Sequence, residues 1–162
     1  MHRAKGKSDR VTRLYHGTSA RAAQAIVQSG FKLPERAGMF GKGIYFADTP
    51  LKSLQYSLYS QPLSWNNMGV MLVCDVALGN SMVKSEADGN LQAGSQRLQR
   101  GLLARLFRQK SFDSVTASHG WLGAVRVPEY VVYDSAQAMP CYVLTVEKMP
   151  RRLRRRWVGC EG

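Results

Sequence analysis

Acidic residues are scarce in this chain: 11 Asp and Glu stand against 23 Lys and Arg in 162 residues, a formal charge of +12. Three cysteines, Cys74, Cys141 and Cys160, are odd in number and widely separated, which argues against a disulfide framework and a paired-cysteine zinc site and points to a reducing compartment. No window approaches eighteen consecutive apolar residues, and the basic start from Met1 to Lys7 leads into no apolar run. Neither a membrane span nor a signal peptide is therefore expected, and an intracellular protein, cytoplasmic or nuclear, is. Familiar hydrolase signatures are also missing: no His-Glu-x-x-His and no Gly-x-Ser-x-Gly elbow. The glycines of Gly38 to Gly43 lead into a strand pattern, not a helix, so they match neither a phosphate-binding P-loop nor a dinucleotide fingerprint.

What remains is a folded globule of one domain, with 44% hydrophobic and only 21% charged residues. The positive charge is not spread evenly. Residues 1–13 carry five basic groups and one acid, residues 97–110 five and none, and residues 151–162 five arginines and one acid. Everything else nets −1. Two basic ends and one internal basic segment around a near-neutral body suit contact with a polyanion such as nucleic acid, and equally suit solvated termini that aid solubility.

Periodicity supplies the elements. A short strand over Val11–Tyr15 runs into a His16-Gly17-Thr18 turn, and Thr18 or Ser19 caps a helix over Ala20–Gln28 that Gly30 stops. The strand Ile44–Ala47 follows the glycine loop, and Pro50 heads a helix reaching Tyr59. Val70–Leu78 is mostly apolar and reads as a strand buried on both faces at the centre of a sheet. Gln96–Gln109 is an amphipathic helix candidate, and strands are expected at Ser114–Ala117, Glu129–Tyr133 and Cys141–Glu147. Short strands outnumber helices without a regular strand-helix alternation. The expected class is α+β, with a split, mostly antiparallel sheet and flanking helices.

Three residues stand where chemistry could sit: His16 at a strand end, Tyr45 after the glycine loop, and Glu129 at the start of a strand. Singly each proves little. The strings around them say more: Leu14-Tyr15-His16-Gly17-Thr18, Gly30-Phe31, Met39 to Asp48 (MFGKGIYFAD), Lys52-Ser53-Leu54-Gln55-Tyr56, Gly69 to Asn80, and Pro128 to Gln137 (PEYVVYDSAQ). In this order they resemble the catalytic domain of the poly(ADP-ribose) polymerase family, the His-Tyr-Glu type of ADP-ribosyltransferase, over residues 14–148. With the charge distribution, that resemblance divides the chain into three expected regions: a basic arm over 1–13, the catalytic domain over 14–148 and an Arg-rich tail over 149–162.

It also implies transfer of ADP-ribose from NAD, used as a substrate without a metal, to a protein or nucleic-acid acceptor. By matching motif, His16 would hydrogen-bond the adenosine ribose, the Gly17 backbone would hold the nicotinamide carboxamide, and Ser53 would donate its hydroxyl to the same group. Tyr45 and Tyr56 would sandwich the nicotinamide ring and Glu129 would bind the 2′-hydroxyl of its ribose, with Thr18, Phe46 and Ala47 completing the NAD contacts. The residue types suit the chemistry. Cleaving the glycosidic bond builds positive charge on the ribose, which a carboxylate stabilises more in the transition state than in the ground state, and tyrosine faces attract a cationic ring. Taken alone, Tyr45, Tyr56 and Ser53 read equally well as packing or capping residues.

The chain departs from the family pattern in places. Only 13 residues precede Leu14, too few for the helical regulatory domain of many members; the Leu33–Phe40 loop is short, and Pro128 stands where the family usually has Asn. The short region between Asn80 and Glu129 favours transfer of single ADP-ribose units over polymer. An RNA 2′-phosphotransferase, a relative that also begins on a His-Gly-Thr turn, is the alternative enzyme, and an inactive NAD- or ADP-ribose-binding module the alternative from another class.

Overall fold

The computed structural model describes residues 11–59, 68–91, 112–117 and 127–147. In chain order these form β1 (Val11–Thr18), α1 (Ala20–Ser29), β2 (Ile44–Ala47), α2 (Pro50–Tyr59), β3 (Met68–Ala77), β4 (Ser81–Lys84), β5 (Ser114–Ala117), β6 (Glu129–Val132), a 3-10 turn (Ser135–Gln137) and β7 (Ala138–Glu147). The strands lie in the order β4-β5-β6-β2-β1-β3-β7, antiparallel except for the parallel β4/β5 pair. The α+β class and the mostly antiparallel sheet follow expectation. The split lies between β1 and β2, which meet at a single residue pair, Tyr15 with Ala47, whereas β1 and β3 pair over eight residues.

Two apolar clusters match the two halves. Leu14, Phe31, Ile44, Phe46, Leu72, Cys74, Val76 and Val132 form one, and Phe40, Leu91, Phe112, Val115, Val131 and Tyr133 the other. Helix α1 starts where the Ser19 hydroxyl accepts the Ala22 amide at 3.2 Å and ends where the Gly30 amide closes on the Ile26 carbonyl. Ala23 and Ile26 face the core, while Val27 is 54% exposed beside Val70 and Val143.

Three expectations are corrected and one strand is added. His16-Gly17-Thr18 is strand, not turn, because β3 offers these residues a full ladder through Leu72, Met71 and Val70. β3 is buried on both faces from Met71 to Cys74, yet lies next to the edge strand instead of at the centre. β7 begins three residues early and runs through Pro140, which an edge strand accommodates because one of its sides needs no ladder donors. β4 has no counterpart in the expectations: four residues pair with β5, about thirty residues on, and no local pattern announces a partner so far away. The helix candidate at Gln96–Gln109, the tail over 149–162 and most of the N-terminal arm lie outside the described residues. Among the described residues no helix is long and apolar enough to cross a membrane.

Candidate active site

The split in the sheet makes the site. Past the Tyr15–Ala47 pair the ladder between β1 and β2 stops, and the His16 side chain supplies the next bond, its Nδ1 lying 2.9 Å from the Tyr45 carbonyl. A carbonyl only accepts, so Nδ1 carries the proton and Nε2 keeps its lone pair. The ring packs edge-on to Phe31 at 5.2 Å and against Phe46 at 5.5 Å. Burial in this apolar corner lowers the His16 pKa below its ordinary 6.5, against the opposing pull of the Tyr45 carbonyl.

A pH dependence of stability follows. The unfolded imidazole takes up a proton near 6.5 and the folded one only below that, so between the two values the unfolded chain holds more protons. His16 therefore costs no stability above 6.5 and destabilises progressively as pH falls through the folded value. Thermal melts between about pH 7 and pH 5 should show Tm falling with pH, with a flatter slope for His16→Gln; equal slopes would remove His16 as the cause.

One residue further on, β1 and α2 touch backbone to backbone. A Cβ on Gly17 would overlap the Ser53 carbonyl. Two buried serines of α2 fasten the helix to the sheet: Ser53 donates to the Tyr15 carbonyl at 2.9 Å, and Ser57 accepts the Val70 amide at 2.7 Å. With its proton given to Tyr15, what Ser53 offers the cleft is lone pairs.

Across the split, Tyr45 on β2 is held by its hydroxyl, which accepts the Phe40 amide at 2.8 Å and donates to the Gly41 carbonyl at 2.9 Å. Glu129 opens β6 beside Ala47 and is 2% exposed. Its Oε1 accepts the Tyr56 hydroxyl at 2.9 Å and meets the Lys52 ammonium at 3.0 Å, while Lys52 also lies 5.6 Å from the centre of the Tyr56 ring. Burial and then the Glu129 charge push the Tyr56 pKa up, which keeps that phenol a donor. Among the described residues both of these bonds fall on Oε1, leaving Oε2 for a ligand.

His16, Gly17, Tyr45, Phe46, Ala47, Lys52, Ser53, Tyr56 and Glu129 together line one cleft. A second, larger one is walled by α1 and the Phe31–Pro34 segment and shares His16 and Tyr45 with the first. Of the residues expected at the site, Thr18 alone stays outside both linings, paired with Val70 on β3. Among the described residues no group of His, Cys, Asp or Glu could hold a metal ion.

The sequence profile of the poly(ADP-ribose) polymerase catalytic domain matches residues 2–148. The chain belongs to this family. Its relatives include the poly(ADP-ribose) polymerase of Sarcophaga peregrina, 40% identical over 148 residues, covering 81% of this chain and 15% of that protein. Poly(ADP-ribose) polymerase 2-A of Oryza sativa subsp. japonica is 36% identical over 157 residues, 82% of this chain and 22% of the relative. Poly(ADP-ribose) polymerase 2 of Homo sapiens is 30% identical over 156 residues, 83% and 26%. The chain thus spans about a quarter or less of each relative's length.

Within this family's cleft, sequence reasoning passed over Lys52. The signal was available: Lys52, Ser53 and Tyr56 fall at i, i+1 and i+4 of one helix, a spacing that turns all three toward one side. Outside the cleft, Tyr133 carries no local signal, because its partner, the Phe40 carbonyl, lies 93 residues away.

Proposed function

We propose that this chain is an NAD-dependent ADP-ribosyltransferase, residues 14–148 being its catalytic unit, that moves ADP-ribose from NAD to an acceptor and releases nicotinamide. The observation that carries this reading is the pair of clefts joined at His16 and Tyr45, with Glu129 lining the smaller one. NAD has two lobes linked by a pyrophosphate, and two clefts meeting at one histidine suit such a molecule. The first cleft takes the nicotinamide, between the Tyr45 and Tyr56 rings and against the Gly17 backbone and Ser53. The second takes the adenosine, with Phe31 at its wall and Lys32 at its rim for the pyrophosphate charge.

His16 receives a ribose hydroxyl on Nε2, a role that needs the neutral ring which its apolar corner favours. Tyr56 and Lys52 hold Glu129 by Oε1, and Oε2 accepts the 2′-hydroxyl of the nicotinamide ribose. As the C1′–N bond breaks, its electron pair goes to the pyridinium nitrogen and neutralises it, and positive charge grows on the ribose ring beside the carboxylate. An electrostatic partner already fixed by two donors needs no reorganisation at that moment. The acceptor's nucleophile then bonds to C1′ and loses its proton to solvent.

Single-unit transfer is favoured by the short region between Asn80 and Glu129, and contact with a nucleic acid, as acceptor or activator, by the basic segments 1–13, 97–110 and 151–156. Incubation with NAD labelled in the adenylate moiety tests the transfer and the nucleic-acid role. Free nicotinamide with label on the protein is expected, and with nucleic acid present either label on it or stimulation that fades steeply from low to physiological salt. Binding without nicotinamide release would leave only an inactive module, and salt-independent nucleic-acid affinity would remove the role of the basic segments.

A further inference from the structure

The Gly38–Gly41 turn has more anchors than a four-residue loop needs. Gly38 and Gly41 exchange backbone bonds at 3.0 and 3.2 Å, and the Asp88 amide donates to the Met39 carbonyl at 2.8 Å. Gly41 has φ +82°, and a Cβ there would overlap the Leu91 carbonyl. Between the glycines, Phe40 is fully buried, its amide donating to the Tyr45 hydroxyl and its carbonyl accepting the Tyr133 hydroxyl at 2.6 Å. The Tyr133 phenol is buried, its ring edge-on to Phe112 at 5.9 Å, and burial pushes its pKa up, so it remains a donor. One peptide turn therefore links two phenols. Tyr133 grips its back at the Phe40 carbonyl, and Tyr45, which lines both clefts, hangs from its front by its hydroxyl.

We propose that Tyr133 is a positioning residue for the cleft: by holding the Phe40 carbonyl it fixes the Gly38–Gly41 turn, and the turn sets the Tyr45 wall against which the substrate binds. The inference rests on the reading of the cleft as an NAD site. Tyr133 itself touches neither cleft. Its hydroxyl donates a single bond, to a carbonyl that has no other partner among the described residues. Core packing alone would be served by a phenylalanine, since the Phe112 contact and the apolar surroundings need only the ring.

Tyr133→Phe keeps that ring and removes only the bond to the turn. Expected are faster hydrogen exchange at the Phe40 and Gly41 amides and a KM for NAD raised roughly fivefold, the loss of one neutral hydrogen bond, with kcat within about twofold. In a Tyr45→Phe background, where the front attachment is already gone, the same substitution should raise KM less than it does alone. Unchanged exchange at Phe40, or faster exchange with an unchanged KM, overturns the proposal, because a purely structural tyrosine would loosen the turn without moving KM. Additive effects in the double variant overturn it too. A wild-type protein that does not consume NAD sinks the transferase reading, and this inference with it. A wild-type protein that does consume it, beside a variant of unaltered KM, sinks this inference alone.

Discussion

Glu129→Gln should lower the rate of ADP-ribose transfer by roughly two to three orders of magnitude while NAD binding stays within a fewfold of wild type. The substitution is close to isosteric, and the new amide oxygen can still accept the Tyr56 hydroxyl, so the cleft keeps its shape. What disappears is the negative charge, which matters little to bound NAD and most when the ribose becomes cationic. Lys52 loses its ion-pair partner, but its side chain is one-fifth exposed and can turn its ammonium to water, so the variant should melt lower and still fold. Transfer measured with labelled NAD, beside NAD affinity by calorimetry, separates the two effects. Unchanged labelling would remove Glu129 from the reaction, and a KM rise matching the loss in kcat/KM would make it a binding contact held equally in the ground and transition states.

The largest effect on stability is expected from Gly17→Ala. The added methyl would sit inside the Ser53 carbonyl, and both partners are backbone, one in β1 and the other in α2, so no side chain can swing away. To admit it, α2 must lift from β1, straining the Ser53–Tyr15 bond and the Ser57–Val70 bond on the same side of the helix. Overpacking at a rigid contact of this kind costs about 1–3 kcal/mol or more, and the moved helix carries Lys52, Ser53 and Tyr56 away from Glu129. Denaturant unfolding should show the midpoint lowered, and NAD turnover should fall with it. A variant of wild-type stability and wild-type KM would mean that α2 is not seated where Gly17 requires it.

Both effects trace to residues whose importance was visible in the sequence to different degrees. Glu129 could be singled out as the sole acid between Asp113 and Asp134, in a block matching a known family. Gly17 could be named for its motif, but its steric reason depends on a helix more than thirty residues away. Helices α1 and α2 were legible nearly to the residue because their signals are local: Ser19 and Gly30 bracket one, and Pro50 heads the other. β4 is illegible because its four residues become a strand only when β5 lies alongside, and the strand through His16-Gly17-Thr18 reads locally as a bend because its glycine sits between polar residues.

The chemistry of the cleft was thus set at the level of residue type and order, since a histidine, two tyrosines, a serine and a glutamate in a family's strings carry their functional groups wherever the backbone goes. How those groups are held was not. That His16 donates through Nδ1 and keeps Nε2 free, that Lys52 and Tyr56 share one oxygen of Glu129, and that the Ser53 proton goes to Tyr15 are consequences of long-range approach. So is the site's location, at the one place where the sheet is joined by a single pair. Local propensities act over a few residues and therefore appear in the sequence. Hydrogen-bond partners 29, 38 and 73 positions apart are chosen by packing, and packing exists only once the chain has folded.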